Sequence, residues 1–188
     1  MINRIRMSGL YATQNNLLLT TLNDFYQKDN NIDSMLSIIN GQSKISLRLV
    51  DWFVTNYSKK HFVIYSLNDS RFKVYDDYKL KLRAYSKKRF DPFCRWDRIS
   101  IPYKNNSRIQ TTIGQLNFFK WALENKIVEY IEHHYDDIEK DMNARNSSSK
   151  KNKQEATDSK TRKKREELSI SATKSIKKET VEIVVKFD

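Results

Sequence analysis

One cysteine, three glycines and two prolines are spread over 188 residues. With Cys94 alone, no intrachain disulfide can form and no thiolate metal cage can be built within one chain. Glycines only at 9, 41 and 114 exclude a Walker loop and a dinucleotide fingerprint, both of which need closely spaced glycines to bring backbone N–H groups up to phosphate. Long apolar runs are missing too. LLLTTL is far shorter than the roughly 20 residues of a bilayer-spanning helix, and MINRIRMSGLYATQNN has two arginines without the apolar core of a secretory signal. The expectation is an intracellular, reduced protein with no membrane attachment. On that footing the sequons at Asn56, Asn105 and Asn146 are chance occurrences in an asparagine-rich chain.

Charge is what the chain has in excess. Charged residues make up 31% against 38% apolar, and the net charge is +12. A core is affordable, but not for the whole length. The balance by segment is +2 for residues 1–70, +7 for 71–104, −2 for 105–145 and +5 for 146–188. The excess therefore sits in one central stretch and in the tail, with an acidic region between. A basic surplus of this size fits an acidic partner, nucleic acid before anionic lipid, and says nothing about fold. The abundance of Asn, Lys, Ile, Tyr and Phe fits an A/T-rich genome.

Periodicity places the elements. NLLLTTLNDFY and SMLSIIN are two short apolar pieces separated by the loop signal KDNNID, and Gly41 is placed to cap the second as a helix. Leu47, Val50, Val54 and Tyr57 follow helical spacing, widened by Leu49, Trp52 and Phe53 into a core-facing stripe. HFVIYSL and RFKVY, separated by NDS, read as a β-hairpin. Tyr75, Tyr78, Leu82 and Tyr85 mark one face of the next helix, whose other face carries Lys79, Lys81, Arg83 and Lys87. Pro92 stops it, so RFDPFCRWD is a structured loop. RISIPYK is an edge strand, because Pro102 has no N–H for a central ladder. Thr112 caps a strongly helical stretch, with Gln115 as its capping-box partner. A change of stripe phase near Asn125-Lys126 predicts two antiparallel helices there. Residues 146–167 contain almost nothing apolar and are expected to be a disordered basic linker. Val181, Ile183, Val185 and Phe187 then alternate as a strand returning to an open sheet edge.

The stretch AYSKKRFDPFCRWDR interleaves cations with rings, the combination that neutralises phosphates and stacks unpaired bases. Its bland reading makes Phe93 and Trp96 core residues and the cations a wet face. SKTRKKREE resembles a nucleic-acid or nuclear-localisation tail, or a solvated linker. TTIGQLNFFKWALENK has helix-turn-helix overtones, but its acidic neighbour EHHYDDIEKD would repel DNA, which makes it scaffold or a protein-docking face. His133 and Asp137 share a helix face, yet two ligands fall short of the three or four of a zinc site. Asp76, Asp77 and Lys79 are residue types that metal-dependent nucleases use, here without a matching Glu-x-Lys strand.

SLRLVDWFVTNYSKK, YKLKLRAYSKKRFDPFCR and TTIGQLNFFKWALENKIVEYI together resemble a family of small proteins without assigned function in nucleocytoplasmic large DNA viruses, mimivirus-like and phycodnavirus-like giant viruses among them. The likeness covers roughly residues 40–142. It brings no active residues to carry over. It implies a location in the host cytoplasm, virus factory or virion, with the nucleus as a further site.

The resulting expectation is an α+β protein: a single domain, residues 1–145, of about four to five helices and a small antiparallel sheet. A basic linker (146–167) and a C-terminal strand segment (168–188) docking back complete it. The expected function is non-enzymatic nucleic-acid binding, DNA or RNA, without cofactor or metal. The contact set is Lys79, Lys81, Arg83, Lys87, Lys88, Arg89, Phe90, Arg95, Trp96, Arg98 and Tyr103, with Lys160, Arg162, Lys163, Lys164 and Arg165 in the tail. The alternative is a structural virion or assembly protein that binds a viral protein through the acidic helix 124–141 and the edge strand. A metal-dependent nuclease is third.

Overall fold

A computed structural model describes residues 3–104, 107–154 and 178–180, with side chains described for 15–104 and 107–145. The order is helix α1 (Asn3–Gln27), α2 (Asn31–Ile39), α3 (Leu47–Trp52), a π-helical turn (Phe53–Tyr57), α4 (Ser58–Lys60), strands β1 (Ile64–Leu67) and β2 (Ser70–Lys73), then α5 (Val74–Arg89). Strands β3 (Arg98–Pro102) and β4 (Ser107–Thr112) follow, then α6 (Ile113–Glu124), α7 (Ile127–His133), α8 (Tyr135–Gln154) and β5 (Lys178–Thr180). The protein is α+β. Because α3, the π turn and α4 run on without a break, the described residues form seven helical segments, more than the four to five expected. The two apolar pieces near the start are α2 and part of a 25-residue α1. The apolar pattern after Thr112 is interrupted twice. Lys126 takes a left-handed φ of 53° between α6 and α7, and His134 ends α7.

The hairpin forms where the alternation places it. Asn68 and Asp69 both have positive φ, 48° and 59°, the geometry of a type I′ turn between two strands paired from Leu67↔Ser70 to Ile64↔Lys73. A second, three-stranded antiparallel sheet has the order β3-β4-β5. Its β3 is an edge strand, as Pro102 requires. On the other side of β4, Ser107 pairs with Thr180 and Ile109 with Lys178. The predicted alternation at Val181, Ile183, Val185 and Phe187 lies outside the described residues. Residues 146–154, expected to begin a disordered linker, continue the backbone of α8 to Gln154; the rest of that linker is outside the described residues.

The core is gathered around α6, buried on nearly every side through Leu116, Phe118, Phe119, Trp121 and Ala122. Leu49, Val50, Phe53 and Val54 from the α3 segment, Met35 and Ile39 from α2, and Ile127 and Ile131 from α7 close over it. Helix α5 lies outside this core. Only Val74 is fully buried, and Tyr78, Leu82 and Tyr85 lay one half-covered face against the interior.

The first turn of α6 holds the chain that follows α5. Thr112 Oγ1 accepts from the Gln115 N–H (3.1 Å), the predicted cap. The Gln115 side chain, however, does not turn back to close a capping box. Its Nε2 donates to the Pro92 carbonyl (2.8 Å), and its Oε1 accepts from Thr111 Oγ1 (2.9 Å). Asn117 Nδ2 donates to the Arg89 carbonyl (2.9 Å), and the Asp91 N–H donates to the Gly114 carbonyl (3.1 Å). Gly114 permits this approach, since a Cβ there would sit 3.0 Å from the Lys88 carbonyl oxygen. Replacing Gln115 by leucine keeps the volume but leaves two buried oxygens unpaired, and is expected to cost about 2–4 kcal/mol. Urea denaturation with an unchanged m-value would show it.

Candidate nucleic-acid interface

The basic stretch begins on α5. Lys79 and Arg83, four residues apart and so on one side of the helix, are exposed and border an open groove of about 430 Å³ with Asp76, Leu80 and Leu82. Leu80 is 60% exposed there. Lys81 points the other way, half-buried in a cleft with Tyr85, Asn117, Lys120, Trp121 and Glu124. At Ser86 the helix breaks: φ 60°, ψ 165° is a conformation that costs a non-glycine residue about 1–3 kcal/mol. Beyond the break Lys87 and Lys88 stand in solvent. Lys88 Nζ lies 3.1 Å from Asp97 Oδ2, both exposed, a contact that brings the start of β3 beside the end of α5 and is worth little energetically. Arg89 is half-buried, with its carbonyl taken by Asn117.

Three predicted contact residues are engaged elsewhere. Phe90 is 2% exposed and its ring packs among Tyr78, Tyr85, Phe118 and Trp121 at centroid distances of 5.4–6.2 Å, so it offers no face to a base. Local sequence shows a ring among cations; only the tertiary clamp from α6 turns it inward. Arg95 donates from both Nε and Nη2 to the carboxylate of Asp91 at 2.7 Å. That carboxylate is almost fully buried and also accepts from the Phe93 N–H (3.2 Å). A buried carboxylate requires such a partner, so the Arg95 charge is committed to the fold. The hydrogen bond to Asp91 holds its guanidinium above the ordinary range. Tyr103 donates to Asp33 Oδ1 (2.7 Å) beside Lys104, whose Nζ is 2.6 Å from the other oxygen, and this ties β3 to α2. Phe93 is core, as the bland reading has it, while Trp96 is 43% exposed. Arg98 is exposed on the edge strand. The tail set, Lys160, Arg162, Lys163, Lys164 and Arg165, lies outside the described residues.

Among the described residues Lys79, Arg83, Lys87 and Arg98 make no ion pair, which leaves them as the outward cations of the surface. The sequence reading missed Phe62, 81% exposed at the end of the basic run Lys59-Lys60-His61. That run carried the signal, a ring behind cations, but it was absorbed into the β-hairpin pattern.

Of the residues singled out for metal chemistry, Asp77 and His133 are held in structural contacts, while Asp76, Lys79 and Asp137 are exposed. Asp77 Oδ1 accepts from Trp121 Nε1 (2.6 Å), fixing α5 to α6. His133 Nδ1 is 2.7 Å from the Glu129 carbonyl. Among the described residues no group of three His, Cys, Asp or Glu converges on one point, and no helix is long and apolar enough to cross a membrane. Asp141 accepts from Lys60 and from Trp52 Nε1 (3.1 Å), tying α8 to the α3–α4 segment. Burial opposes ionisation there, but those hydrogen bonds outweigh it and bring the carboxyl below its usual range.

Asp51 has the opposite balance. Burial first, then the nearby Asp91 charge, push its carboxyl from 3.8 up to about 6, against the pull of Arg95. Between pH about 4 and 6 the folded protein binds more protons than the unfolded chain, so stability falls as pH rises through that window. Asp51→Asn removes the penalty. The variant is expected to be more stable than the parent above pH 6 by about 2 kcal/mol, with the two curves converging toward pH 4, in denaturation followed across pH. Arg95→Ala leaves Asp91 buried without its ion partner and is expected to destabilise by about 2 kcal/mol, discounted for the half-exposed guanidinium. Lys87→Ala should stay within about 0.5 kcal/mol in the same thermal or urea melts.

A model of a family of unknown function, DUF7197, matches residues 8–172. The uncharacterized protein L507 of Acanthamoeba polyphaga mimivirus is 46% identical over 130 residues, which cover 64% of this chain and 50% of that protein. The chain thus spans about half the length of the curated relative it matches. No solved structure matches.

Proposed function

The chain belongs to that family of unknown function and has a giant-virus relative, and on this premise we propose that it is a non-enzymatic nucleic-acid-binding protein of a large DNA virus, acting in the virus factory or virion. The observation that carries the reading is the set of outward cations, Lys79, Arg83, Lys87 and Arg98, none of which makes an ion pair among the described residues. Unpaired surface charge of one sign keeps a chain soluble, and cations of this kind are also what a phosphate backbone neutralises. Trp96, two residues before Arg98, adds an exposed ring. The acidic residues Glu129, Glu132, Asp136 and Asp137 are exposed on α7 and α8, separate in sequence from the basic row, and would turn a polyanion away from that face.

The same acidic face favours the competing reading, an assembly protein that docks a basic viral partner there. It would give a complex with a basic protein that persists after nuclease treatment and weakens with salt.

Binding of short DNA and RNA strands across a salt series separates the two. Four or five phosphate contacts predict a log–log slope of about −4, a loss of about 10²–10³-fold between roughly 50 and 200 mM salt. The triple reversal Lys79→Glu, Arg83→Glu, Lys87→Glu touches exposed side chains only. It should flatten the slope by about 3 and leave the circular dichroism spectrum unchanged. Salt-independent binding, or an unaltered slope in the variant, would count against the phosphate reading.

A further inference from the structure

The segment between α4 and β1 carries a large apolar side chain that packing does not use. The left-handed φ of 48° at Phe62 is the helix-ending conformation, with the Val63 N–H donating back to the Ser58 carbonyl (3.1 Å). That accounts for the backbone but not for a phenylalanine that is 81% exposed. Phe62 sits at the rim of a pocket of about 320 Å³ formed where α4, the β1-β2 hairpin and the start of α5 meet. Ile64, 49% exposed, and the half-buried ring of Tyr75 give it apolar walls. Lys59 and Lys73 flank the opening, both exposed, with Lys59 Nζ 5.6 Å from the Tyr75 ring centroid. Among the described residues neither lysine is in an ion pair.

The pocket is continuous with the phosphate surface. Asp76 lines both this pocket and the groove of Lys79 and Arg83, so the two are neighbours along α5. Apolar walls, two flanking cations and one carboxylate describe a place for a flat, uncharged ring whose two ends are anionic. Asp76, which lines the junction, offers an acceptor to a base N–H. We infer that this pocket binds an unpaired nucleobase of a single strand, stacked on Phe62 with its flanking phosphates at Lys59 and Lys73, while the strand continues to Lys79 and Arg83. The assignment rests on the nucleic-acid reading and narrows it to unpaired nucleotides. A duplex keeps its bases in the stack and reaches only the cations. Aromatic stacking of this kind tolerates every base and both sugars.

Fluorescence anisotropy with labelled single strands of about 12 nucleotides, DNA in one arm and RNA in the other, and with the corresponding DNA duplex, tests it on the full chain. Phe62→Ala removes a side chain that packs on little, so the fold is retained. The variant is expected to lose about ten- to a hundredfold in affinity for at least one kind of single strand and to bind duplex as the parent does. If the parent binds in a salt-sensitive way and Phe62→Ala binds single strands equally well, the pocket assignment is overturned and the phosphate surface stands. If the parent binds no nucleic acid at low salt, both are overturned.

Discussion

The arrangement depends on a set of buried hydrogen bonds by which one helix turn holds one irregular loop. The carbonyls of Arg89, at the end of α5, and of Pro92, in the loop after it, have no helical partner, and a buried unpaired carbonyl would be costly. Asn117 and Gln115 supply the partners, the Gly114 carbonyl takes the Asp91 N–H, and the missing Cβ of Gly114 lets the two backbones come close. Phe90 then falls into the aromatic core, and Asp91 becomes a buried carboxylate that has to recruit Arg95. Thr112 caps the same turn, so the beginning of α6 and the end of α5 are fixed together.

That clamp sorts the charges and rings of the basic stretch. Residues before it, on the outer side of α5 and around the Ser86 break, keep their cations in water. After it Arg95 is drawn in by Asp91 and Tyr103 by Asp33, while Arg98 stays in water. The rings divide likewise, Phe90 and Phe93 inward, Trp96 and Phe62 outward. A composition that looks like one continuous basic-aromatic ribbon is therefore an outward row of cations over an aromatic core. The exposed ring that lies nearest a pocket comes from a different part of the chain.

Elements whose cause is local were legible in the sequence. The hairpin rests on two residues at positive φ between alternating strands, the α6 cap on a threonine hydroxyl, and the edge position of β3 on the missing N–H of Pro102. What could not be read depends on distant partners. Gln115 looks like half of a capping box until Pro92 and Thr111 are beside it. Phe90 looks exposed until α6 is above it, and nothing around Asp77 in the sequence announces its bond to Trp121. The π-helical turn at Phe53–Tyr57, the break at His134 and the extension of α8 past residue 146 carry no residue-level signal that local propensity would weigh. Phe62 was hidden for another reason: aromatic character fits a strand as well as it fits a binding site.

The most direct test of the central claim is to label the surface amines with a lysine-specific reagent in the free protein and in the presence of nucleic acid, and to read protection residue by residue. The account predicts protection of Lys79 and Lys87, extending to Lys59 and Lys73 with single strands, while Lys126 and Lys140 on the acidic side react as before. Protection centred on Lys126 and Lys140, or none anywhere at low salt, would contradict it.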